Sequence, residues 1–569
     1  MANKSLFQSK STKLPVADTR NEAGGVAYKL DDRVALAQMA CTSFLADQYY
    51  DGDKDQLDKI LVLCDRVPAE WVAKVAMYAR RFGFMKDTPA LLVAYLAYRH
   101  PELCRRVFRV VIDNGRMIRN VVQMCRSSRV NPNSSTLPQC VRWGIRQWLN
   151  SAPVKVVFSA SVGNDPSLAD IIKMVHVKPA NAEREALFGY IIGKRKDDGT
   201  HEAMPSVVKE YENFKAYMKA MKENLSMAAD SVPTGVPDLP FQMLDSLGLG
   251  KREWTSIAAN RDRFLFTLKN LNTFERHGVF EDEGVTETVA ARLASEENVT
   301  YARVFPYQIL AAYRAIQPPL QDSYGRMRNV GVQSTKPPMI TNALYDALEH
   351  SLRNVPEFPG KVAVCVDVSG SMHSPVSGNR KGNRKGATSV VRCLDVAALF
   401  GAAMFRKNPL ARIYPFSNGV INMRLDSRDS VTTLADKLCD YRGGCTDWDA
   451  PLRMMITQKW APDLCVYFSD MQGWVSAPAQ TGYHYSSGLA SSAQKYWAQI
   501  RKLNPKARLV MVNLAAYTSV QVKEDEKAML VGGFTDEVFK VMNQFHLGEL
   551  DSERWVGRID SAVQLENLQ

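Results

Sequence analysis

Asp367-Val368-Ser369-Gly370-Ser371 places a carboxylate and two hydroxyls within five residues, directly after the apolar run Val362 to Val366. Such a run reads as a buried strand, so the pentad falls at a strand's C-terminal end, where open α/β sheets bind ligands. Hard oxygen donors suit a hard divalent cation, and Mg²⁺ in particular takes a few protein oxygens and keeps waters in its octahedron. The pentad alone also fits a capped strand-to-helix turn. Two later stretches offer further donors. Gly443-Gly444-Cys445-Thr446-Asp447 follows the helical stretch Asp429 to Cys439 and can turn tightly enough to present the Thr446 hydroxyl. Asp463 to Phe468 reads as a second buried strand ending in Ser469-Asp470, which sets Asp470 just past it.

The elements that must position these donors alternate. Val391, Leu394, Ala398, Leu399, Ala402 and Phe405 repeat at helical spacing after the first strand, and Arg412 to Phe416 and Arg508 to Leu514 are short apolar runs between turn residues. Strands alternating with helices from about residue 360 predict a doubly wound parallel sheet with helices on both faces.

The order Asp-x-Ser-x-Ser, then Thr in a Gly-rich loop, then Asp after a later strand resembles the metal-ion-dependent adhesion site of von Willebrand factor A domains. The resemblance implies that Asp367, Ser369, Ser371, Thr446 and Asp470 form a metal set for Mg²⁺ or another divalent cation such as Mn²⁺. It also implies that a partner's carboxylate completes the shell.

At 569 residues the chain is too long for one core. Its 46% hydrophobic and 23% charged residues are ordinary for a soluble globular protein, no apolar run approaches a membrane span, and Met1 to Ser5 lacks a signal peptide's apolar core. Ten cysteines without a C-x-x-C pair, several inside apolar runs, read as buried thiols of a reducing cytoplasm. A net charge of +12 points to an anionic partner, nucleic acid before membrane.

That charge is concentrated. Between Arg99 and Arg146 stand ten arginines against two acids, Glu102 and Asp113. Arg105 and Arg109, Arg116 and Arg119, Arg126 and Arg129, and Arg142 and Arg146 recur at spacings that put each pair on one helix face. Any one pair fits a solvated helix face. Four in succession, all Arg, fit bidentate phosphate contact and stacking on bases.

From Asp31 to about His350 the pattern is helix after helix with short breaks. Leu57 to Val67, Glu70 to Phe82, Pro89 to Arg99, Glu102 to Asp113 and Met117 to Arg126 carry apolar residues at helical spacing, separated at Pro68-Ala69, His100-Pro101 and Asn114-Gly115. Short links of this kind suit an α-solenoid, although no sequence period is present.

Tyr78-Ala79-Arg80-Arg81-Phe82-Gly83, Leu137 to Arg142, His176-Val177-Lys178-Pro179, Arg252-Glu253-Trp254, Asn270-Leu271-Asn272-Thr273 and Arg276-His277-Gly278-Val279-Phe280 resemble the TROVE module of Ro60 autoantigen proteins. Followed by a von Willebrand A domain, they match the Ro architecture over roughly residues 30 to 545. The resemblance implies a ring of HEAT-like helical repeats that binds Y RNA-like and misfolded noncoding RNA and threads single-stranded 3′ ends. It further implies a non-catalytic, cytoplasmic monomer that serves as an adaptor for polynucleotide phosphorylase or another exoribonuclease. His176 and Lys178 then lie in an RNA-contacting segment. A helix-end histidine before Pro179 is the plain alternative.

The sequence departs from the animal pattern in lacking basic residues shortly before His176, since Ser159 to Asp165 is small and uncharged until its end. The Arg99 to Arg146 set is the replacement expected. Ser374 to Ser389, with Arg380, Lys381, Arg384 and Lys385, reads as a mobile loop that is either a solvated insertion or an RNA clamp.

No P-loop, nucleophile elbow or H-E-x-x-H motif is present, and two carboxylates are few for two-metal hydrolysis. The expected organisation is a polar segment 1–30, a TROVE helical-repeat domain 31–355, a von Willebrand A domain 356–545 and a tail 546–569. The competing expectation is a metal-dependent protein-interaction module with no specific RNA ligand.

Overall fold

The computed structural model describes residues 14–131, 136–163, 165–194, 204–223, 233, 235–302, 304, 306–316, 337–352, 355–376, 391–441, 443–474, 491–550 and 553–565. Most of the basic loop at 374–389 lies outside them. The chain packs as two compact units, residues 1–60 with 354–558, and residues 61–353 with 559–569.

The first unit is built on short strands, β1 (Thr19–Arg20), β2 (Val26–Lys29), β3 (Val362–Asp367), β4 (Arg412–Phe416), β5 (Leu464–Ser469), β6 (Arg508–Asn513), β7 (Ser519–Val520) and β8 (Ala528–Gly532). Five of these form one parallel sheet in the order β4-β3-β5-β6-β8. β3 and β5 are buried along their whole length, as strands covered on both faces must be. The Cys393–Lys407 helix follows β3 as the spacing predicted, but Val391 lies ahead of it, its carbonyl accepting from Val376 N–H. The helix expected over Asp429 to Cys439 begins at Val431, capped by the Ser430 hydroxyl.

The opening segment is not a bare polar lead. β1 and β2 form a hairpin, and β2 pairs with β7 through Tyr28 opposite Val520. Tyr28 is buried, donating to the Pro15 carbonyl and accepting from Ser491 N–H. The Asp32–Thr42 helix, expected among the repeats, belongs to the same unit as the sheet, where Gln38 Nε2 donates to the Ala515 carbonyl at 2.7 Å.

The second unit is helical. Ala69–Arg81, Asp87–Arg99, Pro101–Val111 and Gly115–Cys125 lie within a residue or two of their expected bounds, and Gln139–Ser151 carries the Arg142 and Arg146 pair. Apolar faces meet across them. The ring of Phe108 packs so closely on Gly144 that an added Cβ would lie 2.3 Å away, and Arg80 forks onto Asp113 with its closest contact at 2.7 Å. Further on, the indole of Trp254 stacks on the His277 ring at 5.4 Å, joining two segments that are well separated in sequence. No disulfide joins the ten cysteines, nine of which are buried. No helix among the described residues is long and apolar enough to cross a membrane.

Candidate functional site

Parallel pairing of β3 with both β4 and β5 brings three strand ends together. Asp367 lies opposite Phe416, and Val366 opposite Phe468, so Ser469 and Asp470 emerge beside the pentad. Asp367 Oδ1 accepts from Ser369 N–H at 2.9 Å and Oδ2 accepts from the Ser469 hydroxyl at 2.6 Å, which fixes the carboxylate plane. The Ser369 and Ser371 hydroxyls lie 3.4 Å apart.

The loop that carries Thr446 is tied to the pentad at one end and to the segment after Asp470 at the other. Gly370 N–H donates to the Gly444 carbonyl at 3.0 Å, and Gly444 N–H donates to the Ser417 hydroxyl, which itself donates to the Cys445 carbonyl, both at 3.0 Å. A side chain at Gly443 would put its Cβ 2.0 Å from the Val368 carbonyl oxygen, so only glycine permits the approach. Trp474 N–H donates to the Thr446 carbonyl at 3.2 Å, closing the loop onto the segment that follows Asp470.

All five expected donors, Asp367, Ser369, Ser371, Thr446 and Asp470, are buried. Burial, and then the charge of Asp367, push the Asp470 carboxyl up to about 7, while the Ser371 hydroxyl pulls the other way. Burial likewise raises Asp367. Nearby acids are treated differently: Asp447 is forked by Arg453 at 2.5 and 3.2 Å, and Asp395 by Arg392 at 2.7 Å. Among the described residues neither Asp367 nor Asp470 has an ion-pair partner; hydroxyls and amides meet them instead. Two buried carboxylates without a cation are costly. Two carboxylates and three hydroxyls therefore suit a hard divalent cation, whereas no group of three or more His, Cys, Asp or Glu placed to hold a metal ion occurs among the described residues. Ser469 was not among the expected residues, and its adjacency to Asp470 was the available signal.

The basic residues divide into two kinds. Arg105, Arg109, Arg116, Arg126 and Arg129 are exposed. Arg119, Arg142 and Arg146 are half-buried: Arg119 Nη1 donates to the Ala160 carbonyl at 2.8 Å and Arg146 Nε to the Val175 carbonyl at 2.6 Å. These two brace the ends of neighbouring helices and are not the open phosphate contacts expected. Arg126 and Arg129 also do not share a helix face, because the helix ends at Cys125 and Arg129 sits in the following turn.

His176 is exposed and left-handed, with φ 47°, at the end of the Leu168–Val175 helix. Asn150 holds the segment after it, donating to the Lys178 carbonyl and accepting from Ala180 N–H, both at 3.0 Å. His176 and Lys178 thus project from a pinned turn beside the Arg146 brace. The next helix begins at Ala182, beyond Pro179.

Comparison with known proteins adds a family. Residues 251–355 match the TROVE domain and residues 361–546 the Ro60 vWA domain. The crystal structure of the Deinococcus radiodurans RO (RSR) protein shares the fold, with a TM-score of 0.58 and 18% identity over 91% of this chain and 100% of that one. No curated protein matches the sequence. With both modules present in that order, the chain belongs to the Ro60 family of TROVE-domain RNA-binding proteins.

Proposed function

We propose that the protein binds noncoding RNA, Y RNA-like or misfolded with a single-stranded 3′ end, and serves as a cytoplasmic, monomeric, non-catalytic scaffold in RNA quality control. The observation that carries this reading is the set of exposed arginines Arg105, Arg109, Arg116, Arg126 and Arg129 in the helical unit, together with the pinned, exposed His176–Lys178 turn. Arginine forks suit phosphate, and the turn's geometry presents side chains without a folding cost at binding. The α/β unit then docks a protein, an exoribonuclease such as polynucleotide phosphorylase in this reading. A divalent cation at Asp367, Ser369, Ser371, Thr446 and Asp470 would accept a carboxylate oxygen from that partner. Those five residues would hold the cation and leave part of its shell to water or the partner.

A second reading, a metal-dependent protein-interaction module without specific RNA, is favoured by the buried carboxylate pair alone. Binding of a stem-loop RNA with a 3′ tail, measured across salt, separates the two. Phosphate contacts give a decline of roughly 0.7 to 0.9 log units per contact per log unit of salt. Undetectable or salt-insensitive binding removes the RNA reading.

A further inference from the structure

Asp470 stands on a turn whose shape is imposed from outside it. Its Oδ1 accepts from Gln472 N–H at 3.1 Å, so the orientation of the carboxylate depends on where Gln472 sits. Between the two, Met471 is left-handed, with φ 61°, a conformation that a residue with a side chain keeps only when its neighbours hold it there. The Ser469 hydroxyl and Gln521 hold Met471 itself, the latter through Nε2 donating to its carbonyl at 3.1 Å.

Gln472 is held by the amino-terminal segment. Its side chain is fully buried, and both halves of the amide are used: Oε1 accepts from Ala23 N–H at 3.0 Å, and Nε2 donates to Glu22 Oε2 at 2.9 Å. An amide satisfied at both ends in a buried place has one orientation. Glu22 is fixed in turn, since its other oxygen lies 3.5 Å from Lys59 Nζ, which holds Asp51 at 2.9 Å.

The next residue of the turn is held from the same place. Asn21 Nδ2 donates to the Gly473 carbonyl at 2.7 Å, while Asn21 Oδ1 accepts from Gly25 N–H at 2.7 Å. The fit leaves no slack, because a Cβ at Gly25 would lie 2.1 Å from that same Gly473 oxygen. A path of printed bonds therefore runs from Glu22 and Ala23 through the Gln472 side chain to its N–H, and from there to Asp470 Oδ1.

We propose that Gln472 is a positioning residue of the metal site, and that residues 21–25, acting through it, set the site's affinity for a divalent cation. The inference rests on the metal reading above and adds a control to it. With the segment seated, Asp470 is presented already oriented. With the segment displaced, the Gln472 amide loses both partners and the turn is free to leave its left-handed state. Coupling between two equilibria is reciprocal, so the cation must also tighten the segment.

The test compares the full chain with Gln472→Met, Glu22→Ala and Glu22→Gln, reading Mn²⁺ affinity by calorimetry and the unfolding midpoint in EDTA. Gln472→Met keeps the buried volume and removes both side-chain bonds, whereas Glu22→Gln keeps an acceptor for the Gln472 amide. Affinity is expected to fall roughly 10- to 100-fold in Gln472→Met and about tenfold in Glu22→Ala, and to recover in Glu22→Gln. Hydrogen exchange read by mass spectrometry gives the reciprocal effect. Saturating Mg²⁺ is expected to slow exchange in the wild-type peptide carrying Ala23 and Gly25 about fivefold or more, and to leave it unchanged in Gln472→Met. Lower midpoints in EDTA with wild-type Mn²⁺ affinity make the contacts merely structural and overturn the proposal. Equal losses in Glu22→Ala and Glu22→Gln point to charge rather than orientation and also overturn it. If Gln472→Met does not fold, the wild-type exchange decides, and exchange that ignores Mg²⁺ overturns the coupling. A wild type that binds neither cation removes the metal reading together with this inference.

Discussion

The Ser469 hydroxyl donates to Asp367 Oδ2 at 2.6 Å, linking the ends of two adjacent parallel strands. The same oxygen accepts from Met471 N–H at 3.0 Å, so one hydroxyl orients the first carboxylate and the turn that follows Asp470. Ser469→Ala leaves all five candidate donors in place. Its divalent-cation affinity, measured by calorimetry with Mn²⁺, should fall by roughly 10- to 100-fold, as losses of an orienting partner do. Asp367→Ala should abolish binding and leave RNA affinity near wild type. Full Mn²⁺ affinity in either variant would mean the donor set is misassigned.

Gly443→Ala tests the loop that carries Thr446. The new Cβ would lie 2.0 Å from the Val368 carbonyl oxygen and 2.5 Å from Ser369 Cα, both backbone atoms. Overpacking of this kind costs about 1 to 3 kcal/mol. A lower unfolding midpoint together with weakened cation binding is expected. An unchanged midpoint would show that the two loops can part freely.

The exposed and braced arginines should respond differently. Replacing Arg105 and Arg109 by Gln should weaken RNA binding and flatten its salt slope by roughly 0.7 per lost contact, with stability unchanged. Arg146→Gln should instead cost about 0.5 to 1.5 kcal/mol of stability through the lost bond to the Val175 carbonyl. A stable Arg146→Gln protein with a flattened slope would reverse this division.

His546 gives the α/β unit an acid limit. Its Nε2 donates to the Pro359 carbonyl at 2.9 Å, and burial holds the ring below its ordinary pKa. The unfolded chain then takes up a proton that the folded one refuses. Stability from this group is full above the unfolded value of about 6.5 and is lost as pH falls through the lower folded value. The urea midpoint of the chain should drop between about pH 7.5 and 5, and His546→Gln, which keeps a donor for Pro359, should drop less. Parallel pH profiles would acquit the histidine.

Much of the α/β unit is legible in the sequence because its central strands β3 and β5 are buried along their whole length and so read as unbroken apolar runs. Asp367, Ser369, Ser371 and Asp470 stand where those runs end, and Thr446 sits in the Gly-rich loop after the Val431–Cys439 helix. The missed features depend on distant partners. β2 becomes a strand by pairing with two residues, Ser519 and Val520, too few to leave a pattern. β8 is short and follows turn residues closely, which hides the fifth strand of the sheet. Equal spacing made Arg105 and Arg146 look alike, and only the carbonyl of Val175 distinguishes them. The Arg126 and Arg129 pair failed for a local reason, since spacing does not mark where a helix stops.

The unit that carries β3 to β8 also carries the first 60 residues, with the helical unit interposed between them. During synthesis β2 emerges long before β7, with which it pairs on the side away from β1. Asn21 likewise waits for Gly473, whose carbonyl its side chain holds at 2.7 Å. The amino-terminal stretch must therefore remain unmatched while residues 61–353 of the helical unit leave the ribosome, and the loop after Asp470 is strapped only later. A fragment cut at the start of the matched vWA segment would lack that strap, so excising the domain by its family boundaries removes part of its own framework.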